Sequence, residues 1–367
     1  MREEIAAAFR RIYGSRPETW FAPGRVNLIG EHTDYNLGFV CPIAIDLGCV
    51  AAAAPNEGGK LRVHSLNRGE TREWTLEEAG RARPAGHWSD YVLGVARQIP
   101  DVRPVNLLVS SDVPAGSGLS SSAALEVASA MALGARERGV ELAKLCRRAE
   151  NEFVGMPCGI MDQYASVAGI DGAAVLMDCR SLESRPVKLP AGISILAVNS
   201  MVKHELGASA YRTRVEECNV AAAELGVASL RDATIEQVER LCDPAIRRRA
   251  RHIVTENRRV LDFAEACAAG DLEDIGRIFA ASHRSMREDY EITCEEIDFL
   301  VEAAEGTAGV VASRMTGGGF GGCTVNLVRA GAEAEVEREL KFQYQYRTGI
   351  LCDSYRIRAS AGARKET

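Results

Sequence analysis

The sequence predicts an α+β chain built from two domains, and three observations carry that reading. The chain has 367 residues, more than one compact core supports and about right for two. Its first half reads as short β-rich runs with helices between them. Its second half, over 213–305, reads as charged helices with apolar residues at helical spacing, such as Ile253, Val260, Phe263 and Ala264. Composition agrees with a globular protein, 46% apolar and 26% charged.

The elements follow in order. Ile5, Phe9 and Ile12 give residues 4–14 the apolar stripe of a short helix. Val26 to Ile29 is a short apolar run. The turn-like stretch Tyr35–Gly38 precedes a β-branched, small-residue strand over 39–54. Segments 61–64 and 71–75 pair as a hairpin, 90–99 is helical, and 105–110 is a buried strand. An alanine-rich helix spans 123–138 and another spans 142–153. Strands are expected at 173–177, 193–198, 309–312 and 323–328, with a helix over 333–344. Residues 360–367 are polar and expected to fray. The stretch Arg180–Pro186 reads as polar and strand-poor, so the domains divide as 1–182 and 183–367, with the last strand a candidate to pack back on the N-terminal domain.

Bulk properties exclude several classes. Net charge is −7, from 51 acidic and 44 basic residues, the wrong balance for gripping nucleic acid. The basic clusters Arg247–Arg249 with Arg251, and Arg258–Arg259, read as solvated helix faces. The longest weakly polar run, Cys41 to Pro55, is broken by Asp46 and Gly48, so no membrane span is expected. Met1-Arg2-Glu3-Glu4 lacks the order of a signal peptide. Eleven cysteines occur without any C-x-x-C spacing, as buried free thiols do. The chain reads as cytoplasmic; a monomer is expected, though nothing in these bulk properties bears on oligomeric state.

Two loops are candidates for phosphate. Pro114-Ala115-Gly116-Ser117-Gly118-Leu119-Ser120-Ser121-Ser122 runs straight into the helix that begins near Ala123. Small residues let backbone close around an anion, and the helix aims free N–H groups and its positive dipole end at it. A plain serine cap needs one serine, not three behind two glycines. The loop lacks the lysine of a Walker A motif. The second loop, Gly317-Gly318-Gly319-Phe320-Gly321-Gly322, satisfies G-x-G-x-x-G literally. It is followed by the apolar strand Cys323–Val328 rather than a helix, so it is not a dinucleotide fingerprint.

Among groups able to do chemistry, Glu31, His32 and Asp34 crowd into four residues, a set suited to sugar hydroxyls, with Arg25 six residues before Glu31. Asp162 is a lone acid in Gly159-Ile160-Met161-Asp162-Gln163, and a carboxylate among apolar residues is either paired or functional. Glu150 alone would be read as surface. His64, His87, His204, His252 and His283 are isolated and receive no role.

Together these pieces resemble the galactokinases, within the larger group of small-molecule kinases that includes homoserine, mevalonate and phosphomevalonate kinases. Gly24-Arg25-Val26-Asn27-Leu28-Ile29-Gly30-Glu31-His32-Thr33-Asp34-Tyr35 is similar to the galactokinase signature, Pro114–Ala124 to the ATP loop, Glu150–Gln163 to a further galactokinase stretch, and Gly317–Cys323 to the third motif. The resemblance implies ATP- and Mg²⁺-dependent phosphorylation of galactose at C1, the first phosphorylation step of galactose catabolism. It makes Asp162 the proposed base, with Arg25 beside it stabilising the transferring phosphoryl group. It makes Glu31, His32, Asp34, Gly159 and Tyr211 sugar contacts. It gives Gly116, Ser117, Gly118, Leu119, Ser120, Ser121 and Ser122 to the phosphates, Ser65 and Trp88 to the nucleotide, and Ser122 and Glu150 to Mg²⁺. It also implies a left-handed βαβ unit in the N-terminal domain and a cleft site between domains. Cys41 stands where leucine is usual, and Ala210 where many relatives have Glu. A kinase for N-acetylgalactosamine or arabinose would share nearly all these motifs. So would a non-catalytic sugar and ATP sensor, although such sensors lose part of the Ser120–Ala123 stretch, which is whole here.

Overall fold

The structure, a computed structural model, describes residues 2–203 and 207–366. Helix α1 (Arg2–Tyr13) leads into β1 (Glu18–Asn27), β2 (Phe39–Val40) and β3 (Pro42–Pro55). The hairpin β4 (Lys60–Ser65) and β5 (Glu70–Thr75) is followed by α2 (Leu76–Arg81), α3 (Ser89–Gln98) and β6 (Val105–Ser111). Then come α4 (Ser121–Ala132), α5 (Val140–Arg148), α6 (Met161–Ala168), β7 (Ala174–Asp178), β8 (Ser184–Val187) and β9 (Ile193–Lys203). The helical stretch is α7 (Gly207–Leu225), α8 (Ile235–Val238), α9 (Pro244–Ala269), α10 (Leu272–Ser285) and α11 (Glu295–Glu305). The hairpin β10 (Val310–Thr316) and β11 (Gly321–Arg329), α12 (Glu333–Thr348), β12 (Asp353–Ile357) and β13 (Arg364–Lys365) complete the chain.

The strands form three sheets, ordered β13-β1-β3-β6-β4-β5, β10-β11-β9-β12 and β2-β7-β8. The expected α+β class is what is found. β3 explains the weakly polar run: it is a central strand buried on both faces. Cys49, Ala51 and Ala53 face the main core, while Val50, Ala52 and Ala54 face Ile5 and Phe9 of α1. β4 and β6 pair in parallel, so α2 and α3 cross over between them. α9 is bounded as its sequence dictates: Asp243 caps Ala245 N and Ile246 N, Pro244 opens the helix, and Gly270 closes it in the left-handed region.

Four local readings are corrected. Over its described part, 360–366, the tail does not fray: β13 pairs with Trp20 and Phe21 of β1, and Gly362 N donates to Gly169 O at 2.8 Å. A partner some 340 positions away is invisible to local composition. The strand-poor stretch contains β8, which pairs with β7. The alanine-rich helix stops at Ala132, because Gly134 takes φ +87°. The arginine clusters are not wholly solvated, since Arg249 is 4% exposed and bonded to Glu217 and Glu291.

Candidate active site

The site is assembled where β1 meets the loop before α4. At Gly24 a side chain is impossible, because a Cβ would sit 2.6 Å from the Leu119 carbonyl. That close approach lets Arg25 N donate to Leu119 O at 3.1 Å, tying the signature to the loop. The buried Arg25 side chain continues the tie. Its Nη1 donates to Gly118 O at 2.6 Å, while Nε and Nη2 donate to Asp162 Oδ1 at 2.8 Å and Oδ2 at 2.7 Å. Asp162 lies in the first turn of α6. Ser120, the residue before α4, has φ +58° and does not cap the helix; its hydroxyl donates to Asp162 Oδ2. The hydroxyl of this serine, expected at the phosphates, is thus committed to the central carboxylate.

Two adjoining cavities share the wall Tyr91, Gly116, Ser121 and Ser122. The larger, about 830 Å³, is also lined by Ser65 and Trp88. The smaller, about 250 Å³, gathers Arg25, Glu31, His32, Asp34, Gly118, Ser120, Glu150, Gly159, Asp162 and Tyr211. So the residues singled out in the sequence meet at one place, with two exceptions. Ser117 turns its hydroxyl back to Pro114 O at 2.8 Å, and Leu119 is in the core; neither lines either of these two cavities.

Glu150 and Asn151 sit on a π-helical turn over Ala149–Val154 that continues α5. Glu150 is 6% exposed, not a surface acid. Burial and the Asp162 charge push its carboxyl up to about 7, against hydrogen bonds from Cys158, Gln163 and Ser122. Behind it lies Glu126, fully buried, its carboxyl pushed up by burial and by Glu150. Gln163 Nε2 bridges the two at 3.1 Å and 2.5 Å, and Glu126 Oε1 has no hydrogen-bond partner among the described residues. An oxygen-only donor set of carboxylate and serine hydroxyl, with an orphaned oxygen behind it, fits a hard divalent cation. Glu126 was readable in principle: it is the lone acid in Ala123-Ala124-Leu125-Glu126-Val127-Ala128.

On the opposite wall, burial pushes His32 down to about 3, so the ring is neutral at physiological pH. Its tautomer follows from its partners. Gly318 O, 3.2 Å from Nε2, can only accept, so Nε2 carries the proton and Nδ1 accepts from Tyr35 Oη at 2.7 Å. Tyr35 must then accept from Tyr290 (2.7 Å), and Tyr290 from the Cys218 thiol (3.1 Å). This directional chain ties the second glycine loop to α7. Glu31 is 1% exposed and both its oxygens are occupied: Oε1 by Gly317 N at 3.3 Å and Oε2 by Arg314. Glu31 thus joins the signature to the second glycine loop as well as lining the cavity. His252, given no role from sequence, is buried and bonds the Glu31 carbonyl at 3.2 Å. His204 lies outside the described residues.

Asp34 meets Gly159 across the cavity. A Cβ on Gly159 would fall 1.9 Å from Asp34 Oδ2. With Asp34 and Gly159 expected as sugar contacts, Gly159→Ala should displace Asp34 and raise the sugar KM at least tenfold with a smaller loss in kcat, of order the 1–3 kcal/mol that overpacking costs. Steady-state kinetics with sugar as the varied substrate checks this; an unchanged KM would refute it.

Comparison with known proteins fits this geometry. Residues 7–55 match the galactokinase galactose-binding signature, 90–170 the N-terminal domain of GHMP kinases, and 263–345 their C-terminal domain. The galactokinase of Actinobacillus succinogenes is 42% identical, over 96% of each chain. The human galactokinase is also 42% identical, over 98% of this chain and 95% of its own. In three dimensions, the galactokinase of Lactococcus lactis, solved in complex with galactose, has a TM-score of 0.94 at 31% identity, covering 100% of both chains. The mevalonate kinase of Methanococcus jannaschii, 18% identical, shares the fold with a TM-score of 0.68 over 95% of this chain and 99% of its own. With matches of this extent, the chain belongs to the galactokinase family.

Proposed function

We propose that this chain transfers the γ-phosphate of ATP to the C1 hydroxyl of galactose, giving galactose 1-phosphate and ADP. The observation that carries the reading is the double grip of Arg25, on Asp162 and on the Gly118 carbonyl of the ATP loop. One guanidinium thereby spans the sugar acid and the phosphate loop. In the reaction the C1 oxygen bonds to the γ-phosphorus, the bond from that phosphorus to the β–γ bridging oxygen breaks, and the hydroxyl proton passes to Asp162 during or after transfer, and from there to solvent. Such a transfer asks mainly for alignment and charge neutralisation.

Asp162 has about four lone-pair positions, and three are filled by Arg25 Nε, Arg25 Nη2 and Ser120. One remains on Oδ1 for the sugar hydroxyl. In this reading Asp162 orients C1 more than it strips its proton. Asp34 and Gly159 take the hydroxyls that mark the galacto configuration, and His32 and Tyr211 complete the wall. Gly116, Gly118 and Ser120–Ser122 face the phosphates, with Ser65 and Trp88 toward the nucleotide. Ser122 and Glu150 would hold Mg²⁺, with ATP oxygens completing its shell. The cation supplies neutralisation of the phosphate charge. Residues 1–182 carry the signature and ATP loop and 183–367 the third motif, in a monomer acting in the cytoplasm on a free sugar.

A coupled ADP-release assay with galactose, N-acetylgalactosamine and arabinose tests the reading. Galactose should be turned over with the highest kcat/KM. Binding of galactose and ATP without ADP release would sink it in favour of a sensor. The assay carries a pH prediction. Burial and Asp162 push Asp34 up to about 6, against the Tyr35 and Met161 N–H groups and Arg147. A protonated Asp34 loses its charge-assisted hydrogen bonds to hydroxyls. The galactose KM should therefore rise as pH falls through about 6 and level off above it.

A further inference from the structure

Asp34 is a partition between two spaces. On the side away from the transfer centre lies a third cavity of about 460 Å³, whose wall includes Asp34, Cys179 and four cations: Lys144, Arg147, Arg148 and Arg180. Two of these are paired with carboxylates, and Arg148 is held by a neutral amide. Lys144 pairs with Glu141 at 2.7 Å, Arg180 with Asp232 at 2.7 Å, and Arg148 Nε donates to Gln98 Oε1 at 3.2 Å. Arg147 has no carboxylate within 4.0 Å among the described residues. Its Nε donates instead to the Cys158 carbonyl at 3.2 Å.

The Cys158 carbonyl belongs to the peptide that leads into Gly159, whose backbone presses on Asp34 with no room for a Cβ. Asn151, four residues after Arg147 and on the same helical face, grips Cys158 from both ends. Its Nδ2 donates to Cys158 O at 3.1 Å and its Oδ1 accepts from Cys158 N at 3.1 Å. Two side chains of one helical segment thus fix the backbone that sets the Asp34–Gly159 contact.

Charge points the same way. The groups facing Asp34 are Asp162 from α6, Tyr35 beside it, Tyr211 from α7, Cys179 after β7 with the Arg231–Asp178 pair behind it, and Arg147 from α5. Asp162 is anionic and opposes ionisation of Asp34; the thiol and phenols are neutral. Arg147 is the cation that works against Asp162. We propose that Arg147 is a positioning residue for the sugar site, pinning the Cys158–Gly159 backbone and supplying from behind the positive charge that holds Asp34 in its hydroxyl-binding form. The inference deepens the proposed function and rests on the assignment of Asp34 to sugar hydroxyls.

The test compares Arg147→Met, Arg147→Lys and Asn151→Ala with the unaltered chain, by galactose KM against pH and by NMR titration of the Asp34 carboxyl in the sugar-free protein. Arg147→Met should move the Asp34 midpoint upward by about half to one unit. A one-unit move raises the galactose KM at pH 6.5 roughly threefold, with a smaller change in kcat. Arg147→Lys should return the midpoint toward its original value, since it keeps the charge. Asn151→Ala should raise KM without moving the midpoint, since it loosens only the backbone. An Asp34 midpoint unmoved in Arg147→Met would overturn the proposal. The two failures are separable: if the unaltered chain phosphorylates no galactose, the proposed function falls, while the NMR titration still decides whether Arg147 governs Asp34.

Discussion

Asp162→Asn should lower kcat roughly 10³-fold, within the range expected for losing a positioned acid or base, while galactose binding changes far less. The asparagine keeps one acceptor oxygen but replaces the other with an NH₂ group facing donors. Arg25 Nη2 and the Ser120 hydroxyl now meet a donor where Oδ2 accepted both. The guanidinium, 4% exposed, is left without its counter-charge. Breaking a buried pair from one side costs about 3–5 kcal/mol, and the cost here should lie below that because the Asp162 side chain is 28% exposed. Rate and stability are thus expected to fall together, and urea unfolding alongside single-turnover kinetics separates them. A third readout is electrostatic. The Asp162 charge raises both Asp34 and Glu150, after burial. Removing it makes ionisation of Asp34 easier, so the KM–pH midpoint near 6 should move down, opposite to the shift for Arg147→Met. Near-native turnover in Asp162→Asn would eliminate both the base and the orienting role.

Which parts of this site were legible in the sequence depends on how locally their cause is encoded. Gly24–Tyr35 and Gly116–Ser122 are contiguous, and the backbone needs of a tight approach or an anion cradle show in residue type. That Asp162 needed a partner was readable because a lone acid among apolar residues is paired or functional, while the choice of Arg25 came with the galactokinase resemblance. Ser120 shows the limit. It was expected at the phosphates, and nothing local says that its hydroxyl turns to a residue 42 positions on. The roles of His252, Asn151 and Arg314 were hidden for the same reason: each acts on backbone or charge brought to it by the fold. Arg314 did leave a trace, a single arginine in the otherwise small and apolar β10, beside the second glycine loop.

That arginine carries the other large expected effect. Arg314 is fully buried, donates from Nη1 to Leu28 O and from Nη2 to Glu31, and lies 3.6 Å from Glu256. It fastens β10 to the signature, and Glu31 completes the link by accepting from Gly317 N. Glu256 has a second cation in Arg259 at 2.7 Å and a bifurcated bond from the Ser282 hydroxyl, and it accepts from Gly30 N at 3.0 Å. Burial alone would raise Glu256, yet the two arginines hold it down at about 2. Glu31 has no such reserve, and burial outweighs Arg314, so its carboxyl is pushed up. Arg314→Met should leave Glu31 as a buried anion without a cation, at a cost of about 3–5 kcal/mol in urea unfolding. Glu31→Gln should cost less, about 1–3 kcal/mol, because one oxygen acceptor survives for Gly317 N. In the double variant the stranded charge is gone, so its loss should fall short of the sum by at least about 1 kcal/mol. Strict additivity would mean that the two side chains do not act as a pair. Because both tie down the loop from Gly317 to Gly322, each single variant should also raise the KM for ATP as well as for sugar, whereas Gly159→Ala, which disturbs only the wall at Asp34, should raise the sugar KM alone.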